Sequence, residues 1–147
     1  MATAILGKNC KLYRNTGTWG SPTWVEVENV KDLTLNLTFQ EADVSTRAGG
    51  GVSRAEPTLL DVSLEFDQVR DTDDADQTAI LTAFFAGTLI DMAVSEAAIA
   101  TAGTKYYRQE WKVLSGPQAE ALADAKRISF SCKPCFSSNS GGWTTAS

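Results

Sequence analysis

Apolar and polar residues alternate most strictly at two places in the chain. Leu33, Leu35, Leu37 and Phe39 fall on one face of an extended segment, with Thr34, Asn36 and Thr38 on the other, which is the period of a half-buried strand. Leu60, Val62, Leu64 and Phe66 repeat the pattern against Asp61, Ser63, Glu65 and Asp67. The two predicted strands match in length and character. Between them Gln40 to Pro57 has no periodicity and contains Gly49, Gly50 and Gly51, so it reads as a long inter-strand loop with a flexible tip.

Shorter segments complete the β pattern. Cys10 to Arg14 and Trp24 to Val30 are rich in aromatic and β-branched residues and are separated by the turn-forming run Asn15 to Pro22. Leu89 to Val94 reads as a strand and Ile99 to Gly103 as a loop. Tyr107, Trp111 and Val113 alternate with Arg108, Glu110 and Lys112, predicting a half-exposed strand, and Ile128, Phe130 and Cys132 alternate with Ser129 and Ser131 in a last one. One segment has helical spacing: Ile80, Leu81, Phe84 and Phe85, with Thr72 or Asp73 as its cap and Gly87 at its stop. Gln118 to Ala125 suggests a short helical turn, and the Ser-, Gly- and Thr-rich run 137–147 a flexible C-terminal tail. About seven strands around one helix predict a mainly β fold, a β-sandwich or open barrel with one flanking α-helix, formed by a single domain spanning 1–147.

Composition narrows the chemistry. A chain of 147 residues, 43% hydrophobic, has enough material for one sizeable core. Its 13 basic and 18 acidic residues leave a formal charge of -5, which disfavours a surface built to hold nucleic-acid phosphates or anionic lipid. Nothing in it reads as membrane or secretory targeting. Histidine is absent, and with it the commonest general base and metal ligand. Three cysteines cannot all pair within one chain, so a disulfide framework is not predicted and a reducing compartment is the expected place of folding.

The local motifs fail their own context tests. Cys132-Lys133-Pro134-Cys135 has redox spacing but ends a strand instead of opening a helix, and Cys10 brings the count only to three sulfurs. Asp71, Asp73, Asp74 and Asp76 crowd as in a calcium loop, yet Asp76 and Thr82 stand where glycine and glutamate are needed; acids at a helix start explain them better. The Gly49–Gly51 run lacks the lysine and helix of a phosphate loop. Asn36-Leu37-Thr38 is a formal glycosylation sequon in the middle of a strand. Trp19, Trp24, Trp111 and Trp143 suit core and interface packing better than a stacking platform for bases, which would need a basic groove. No serine, cysteine or lysine has an identifiable activating partner, so no catalytic, cofactor-binding or metal-binding residue is expected.

The order of elements carries a resemblance. The opening Ile5-Leu6-Gly7-Lys8-Asn9-Cys10-Lys11-Leu12-Tyr13-Arg14, then Trp24, Val27 and Asn29 to Leu37, resembles the start of the major tail tube proteins of long-tailed, siphovirus-type bacteriophages and prophages. The likeness continues through Glu41 to Ala48, Pro57-Thr58-Leu59, the aspartate-capped helix and the strand from Ile128 to Phe136. It implies a structural, non-enzymatic subunit that forms hexameric rings, stacked into a hollow conduit for genome delivery. It implies self-contacts within and between rings, with tape measure, tail terminator and distal tail proteins as further partners, DNA in transit without specific binding, and no membrane. The implied location is the virion tail, after synthesis in the host bacterial cytoplasm. A tube subunit of a contractile injection or type VI secretion machine shares the fold in outline, and a cysteine-based redox or metal protein is the rival of another class.

On the tube reading, two residue sets stand out. The loop set is Glu41, Asp43, Arg47, Gly49, Gly50, Gly51 and Arg54, expected to contact the next ring, because a long loop can leave the domain body. The second set is the shared polar face of the two long strands, Thr34, Asn36, Thr38, Asp61, Ser63, Glu65 and Asp67, expected to face the lumen. No basic residue lies in it, as suits a conduit that must not retain phosphates.

Overall fold

The computed structural model describes residues 4–116, 118, 119, 122, 126–135, 137–139 and 141–146. Among the described residues the strands are β1 (Lys11–Asn15), β2 (Trp24–Glu26), β3 (Val30–Asp43), β4 (Ala55–Val69), β5 (Ile90–Ser95), β6 (Lys105–Ser115), β7 (Gln118–Ala119), β8 (Arg127–Pro134) and β9 (Gly142–Thr145), with one α-helix, α1 (Ala75–Ala86), between β4 and β5. Nine strands form one antiparallel sheet in the order β2-β1-β5-β6-β8-β4-β3, with β7 added to β8 and β9 to β6. This is the mainly β fold with one flanking helix that the alternation predicts.

The sheet curls on itself. Leu12 from β1, Met92 from β5, Trp111 and Val113 from β6, Ile128 and Phe130 from β8, and Val62, Leu64 and Phe66 from β4 enter one buried cluster, although β1 and β4 are far apart in strand order. Leu33 and Leu35 of β3 pack against the same cluster and close the core from the last strand. An open groove of about 770 Å³ remains along the seam between the two ends of the sheet, floored by Leu12, Val27, Leu33, Leu35 and Val94.

Helix α1 starts where acids can cap it and stops where only a left-handed residue fits. Asp74, one position beyond the predicted Asp73, caps it by accepting from the amides of Asp76 and Gln77, and Gly87 closes it at φ 68°. Ile80 and Ala83 are buried, while Leu81 and Phe84 pack at the margin of the core. Phe85, predicted to face the core with them, is 79% exposed. The reason is polar burial: Asp76 and Gln77 also point inward, Asp76 to the guanidinium of Arg14 at 2.7 Å and Gln77 to Arg70 and the Val69 carbonyl, which turns the helix so that Phe85 faces out.

Three further predictions need correction. The loop predicted over Gln40 to Pro57 is mostly strand: β3 and β4 stay paired through Glu41↔Pro57, Ala42↔Glu56 and Asp43↔Ala55, leaving 44–54 as the tip. Periodicity vanishes there because both faces are in solvent, and side-chain bonds such as Gln40 Nε2 to Asp61 Oδ2 (3.1 Å) support the pairing instead. Gln118 and Ala119 form a strand on β8, not the start of a helical turn; positions 120, 121 and 123–125 of that prediction lie outside the described residues. The expected frayed tail contains β9, which pairs with β6 through Tyr107↔Trp143 and sets the Trp143 ring edge-on to Tyr107 at 5.9 Å. Four residues at an edge carry no readable alternation.

Candidate assembly surfaces

The polar face of the β3–β4 hairpin is one continuous surface. In register, Thr34 faces Glu65, Asn36 faces Ser63 and Thr38 faces Asp61, with Asn36 Nδ2 donating to Ser63 Oγ at 3.2 Å. Thr34, Asn36, Thr38, Asp61 and Glu65 are exposed, and Ser63 and Asp67 half-buried. The sheet extends this face beyond the sequence set. Glu65 pairs with Ser131 and Asp67 with Ser129 on β8, and Lys133 of β8 pairs with Lys112 of β6. The face is therefore acidic on β4 and basic where β8 meets β6, a division invisible until the strands are ordered. Two lysines directly opposite each other repel, so the pair is a local cost within the subunit.

The hairpin tip is built, not slack. Asp43 Oδ1 accepts from the Ser45 amide at 2.9 Å, the Ser45 hydroxyl accepts from the Arg54 amide at 2.8 Å, and the Val44 amide donates to the Arg54 carbonyl at 3.0 Å. Hydrogen bonds from Ser45 hold the Asp43 carboxyl below its usual value. Gly49 closes a short 3-10 turn begun at Arg47, and Gly50 and Gly51 follow in left-handed backbone at φ 70° and 81°. Of the predicted loop set, Glu41 and Asp43 are strand residues of β3, and Arg47, Gly49, Gly50, Gly51 and Arg54 form the tip.

The hairpin reaches beyond the body. Leu37 and Phe39 continue the apolar face of Leu33 and Leu35, opposite Val62 and Leu60, yet Leu37, Phe39 and Leu60 are exposed, Phe39 at 54%. Two backbone edges in the strand run from β6 to β3 are also free among the described residues. β3 pairs only with β4, and β6 loses its β5 neighbour at Ile90↔Trp111, so 112–115 has a partner on the β8 side alone.

One cluster escapes any reading of alternation as exposure. On β6, Arg108 and Glu110 are buried as well as Tyr107, Trp111 and Val113, so the predicted half-exposed strand is covered on both faces as far as Trp111, and of its predicted polar positions Lys112 alone is exposed. Arg108 binds Asp91 with Nη2 at 2.7 Å from Oδ2, donates to the Trp19 carbonyl at 3.0 Å, and lies 3.7 Å from the Trp19 ring centre. Asn15 donates to Asp91 at 2.9 Å and accepts from the Gly17 and Thr23 amides, folding the 15–23 loop over the pair. Glu110 accepts from the Ser137 hydroxyl and from Asn139 Nδ2. Trp19 and Trp24 thus serve Arg108, while Trp111 is fully buried on the core face, its indole donating to the Met92 carbonyl at 3.2 Å.

The three thiols are free. Cys132 points into the core, where burial pushes its thiol up to about 12; burial first and then Glu110 raise Cys135. Neither is poised as the thiolate that redox or metal chemistry requires. The acidic run before α1 is likewise employed locally: Asp71 accepts from the Asp73 amide, Asp74 caps the helix and accepts from Asn29, and Asp76 pairs with Arg14.

No family model and no curated protein matches the chain in sequence. Solved structures match its fold. The tail of an empty GTA particle, refined with C6 symmetry, superposes with a TM-score of 0.74 at 15% identity, covering 96% of this chain and 99% of that one. The SPP1 tail tube gives 0.77 at 14% identity, over 97% and 80%. The six-fold symmetrised baseplate of the anti-feeding prophage gives 0.67 at 6% identity, over 98% and 97%. At such identities the likeness is one of fold, and it spans nearly the whole chain.

Proposed function

We propose that the chain is a non-catalytic structural subunit that assembles as stacked rings into the tail tube of a phage-like virion. The observation that carries this reading is a pair of free backbone edges at the two ends of the strand run β6-β8-β4-β3, in a fold shared with tail tubes. Directions alternate along that run, so rotation about a ring axis brings the outer edge of β3 beside the free end of β6 of the next copy in antiparallel sense. The C6 symmetry of the GTA tail supports six copies in each ring.

On this reading the face carrying Thr34, Asn36, Thr38, Asp61, Ser63, Glu65 and Asp67 lines the lumen, together with Ser129, Ser131, Lys133 and Lys112. Its mixed charge gives a duplex no continuous basic track to bind. The tip around Arg47, Gly50, Gly51 and Arg54 meets the ring above or below. Tape measure, terminator and distal tail proteins complete the set of partners. The likeness to the anti-feeding prophage baseplate supports a second reading, a tube subunit of a contractile injection machine; a sheath gene beside this one would favour it.

Negative-stain microscopy of the purified chain tests the proposal. Rings or tubes with a central hole are expected, and removal of 48–53 should leave rings that do not stack. A chain that stays monomeric at every concentration and salt tried would overturn it.

A further inference from the structure

The two free edges leave open which side chains seal the contact between copies, and the exposed apolar residues answer that. Helix α1 covers the core face of β6 at its free end: Phe84 packs against the core cluster that contains Phe130, and both rings come within 3.5 Å of where a side chain on Gly116, just past β6, would stand. The chain then turns through Gly87 and Leu89 into Ile90, the residue at which β5 begins to pair with β6. Phe85 and Leu89, both exposed, therefore stand beside the stretch of β6 that lacks a neighbour. At the other end of the run, β3 exposes Leu37 and Phe39 on the face that, nearer the base, enters the core through Leu33 and Leu35.

The geometry points to a heterologous contact in which Leu37 and Phe39 of one copy pack on Phe85 and Leu89 of the next. It rests on the ring reading and specifies its interface. The occupant is a second copy of this chain for three reasons that agree on one seam. The backbone edges are complementary in direction. Placing β3 beside β6 puts its apolar face on the side where α1 already covers β6, so the two exposed apolar patches meet with no rearrangement. On the opposite side of the same sheet, Lys112 and Lys133 come next to a strand pair carrying Asp61 and Glu65, which relieves their mutual repulsion. Exposed aromatic residues at the centre of such a contact carry much of its affinity.

The test uses the full chain with Phe39→Ser and Phe85→Ser made singly, and Phe85→Leu as the conservative control. Each variant subunit should melt within a few degrees of the parent, since both side chains are exposed in the isolated copy. Each serine variant should raise the concentration needed for ring or tube formation on the order of tenfold or more, and Phe85→Leu much less. With Cys10 and Cys135 replaced by serine, Phe39→Cys plus Phe85→Cys should form a disulfide between copies in assembled material and not in dilute subunits. Serine variants that assemble at the parent's concentration, or cysteines that do not cross-link in rings, would overturn this contact and leave the ring reading standing. A parent that forms no rings would remove both.

Discussion

Removing the carboxylate of Asp91 should lower the melting temperature of the unassembled subunit by far more than loss of a surface ion pair would. Asp91 and Arg108 have side chains each 10% exposed, so Asp91→Ala strands a guanidinium left, among the described residues, with the Trp19 carbonyl and two indole rings. Breaking one side of a buried pair costs about 3–5 kcal/mol, against at most about 1 kcal/mol for an exposed pair. For a domain of this size each kcal/mol moves the midpoint by about 2–4 °C, giving a drop of roughly 6–20 °C. Asn15 also loses an acceptor, which loosens the 15–23 loop, so Trp19 fluorescence should change under conditions where the fold persists. Arg108→Met removes the charge but leaves an apolar side chain between the rings, and the double variant Asp91→Ala with Arg108→Met should be more stable than Asp91→Ala alone. Circular dichroism melts of the four proteins in dilute solution supply the comparison. A midpoint for Asp91→Ala within about 3 °C of the parent, or strictly additive effects, would show that the cluster is not a buried, mutually dependent unit.

Stability should fall with pH in the alkaline range because of Cys132: the unfolded thiol ionises from its ordinary value of 9.0, whereas the buried one stays protonated up to about 12. The folded form therefore holds the extra proton, stability present below pH 9 is lost as pH rises toward 12, and Cys132→Ala should flatten that decline in urea titrations run at successive pH values; an unchanged slope would contradict the burial of this thiol. Replacing Glu65 and Asp67 by lysine should leave rings intact yet make tubes retain duplex DNA with a log-log salt slope of roughly -0.9 per neutralised phosphate, and tubes that still ignore DNA at low salt would remove these residues from the lumen.

The sequence pattern is legible where one face of a strand meets the core. Leu33, Leu35, Val62, Leu64 and Phe66 sit where their alternation predicts, as do Trp111, Ile128 and Phe130. It misleads where polar groups are buried with partners far away in the chain. Arg108 and Glu110 look like solvent positions on β6 because Asp91, Trp19 and Asn139 cannot be assigned to them before the fold exists. Phe85 follows Leu81 at helical spacing as Phe84 follows Ile80, and only the inward turn of Asp76 and Gln77 decides which of the two phenylalanines faces the core. The polar surface is half legible: its β3 and β4 residues follow from alternation, whereas Lys112 and Lys133 join it through strand order, which periodicity does not encode. The predicted hairpin tip is too long because 41–43 and 55–57 pair with each other in solvent, without an apolar face to mark them.

The composition of the β3 edge supports its use as an interface. Natural sheets guard a free edge with charges, prolines, bulges or brevity, because unpaired N–H and C=O groups recruit other strands indiscriminately. β2, at the opposite end of the sheet, is short, covering only Trp24–Glu26, and ends in an acid. β3 is 14 residues long, and its charges, Lys31, Asp32, Glu41 and Asp43, lie at its two ends. Between Leu33 and Gln40 it presents an uncharged edge, interrupted only by the bulge beyond Phe39. The distal half of this ribbon also lacks support from the core, and two strands by themselves are marginal in water. An edge so long, unguarded and apolar on one face is a hazard in a monomer but a joining surface in a ring, where every copy covers the β3 edge of its neighbour and closure leaves none of these edges exposed.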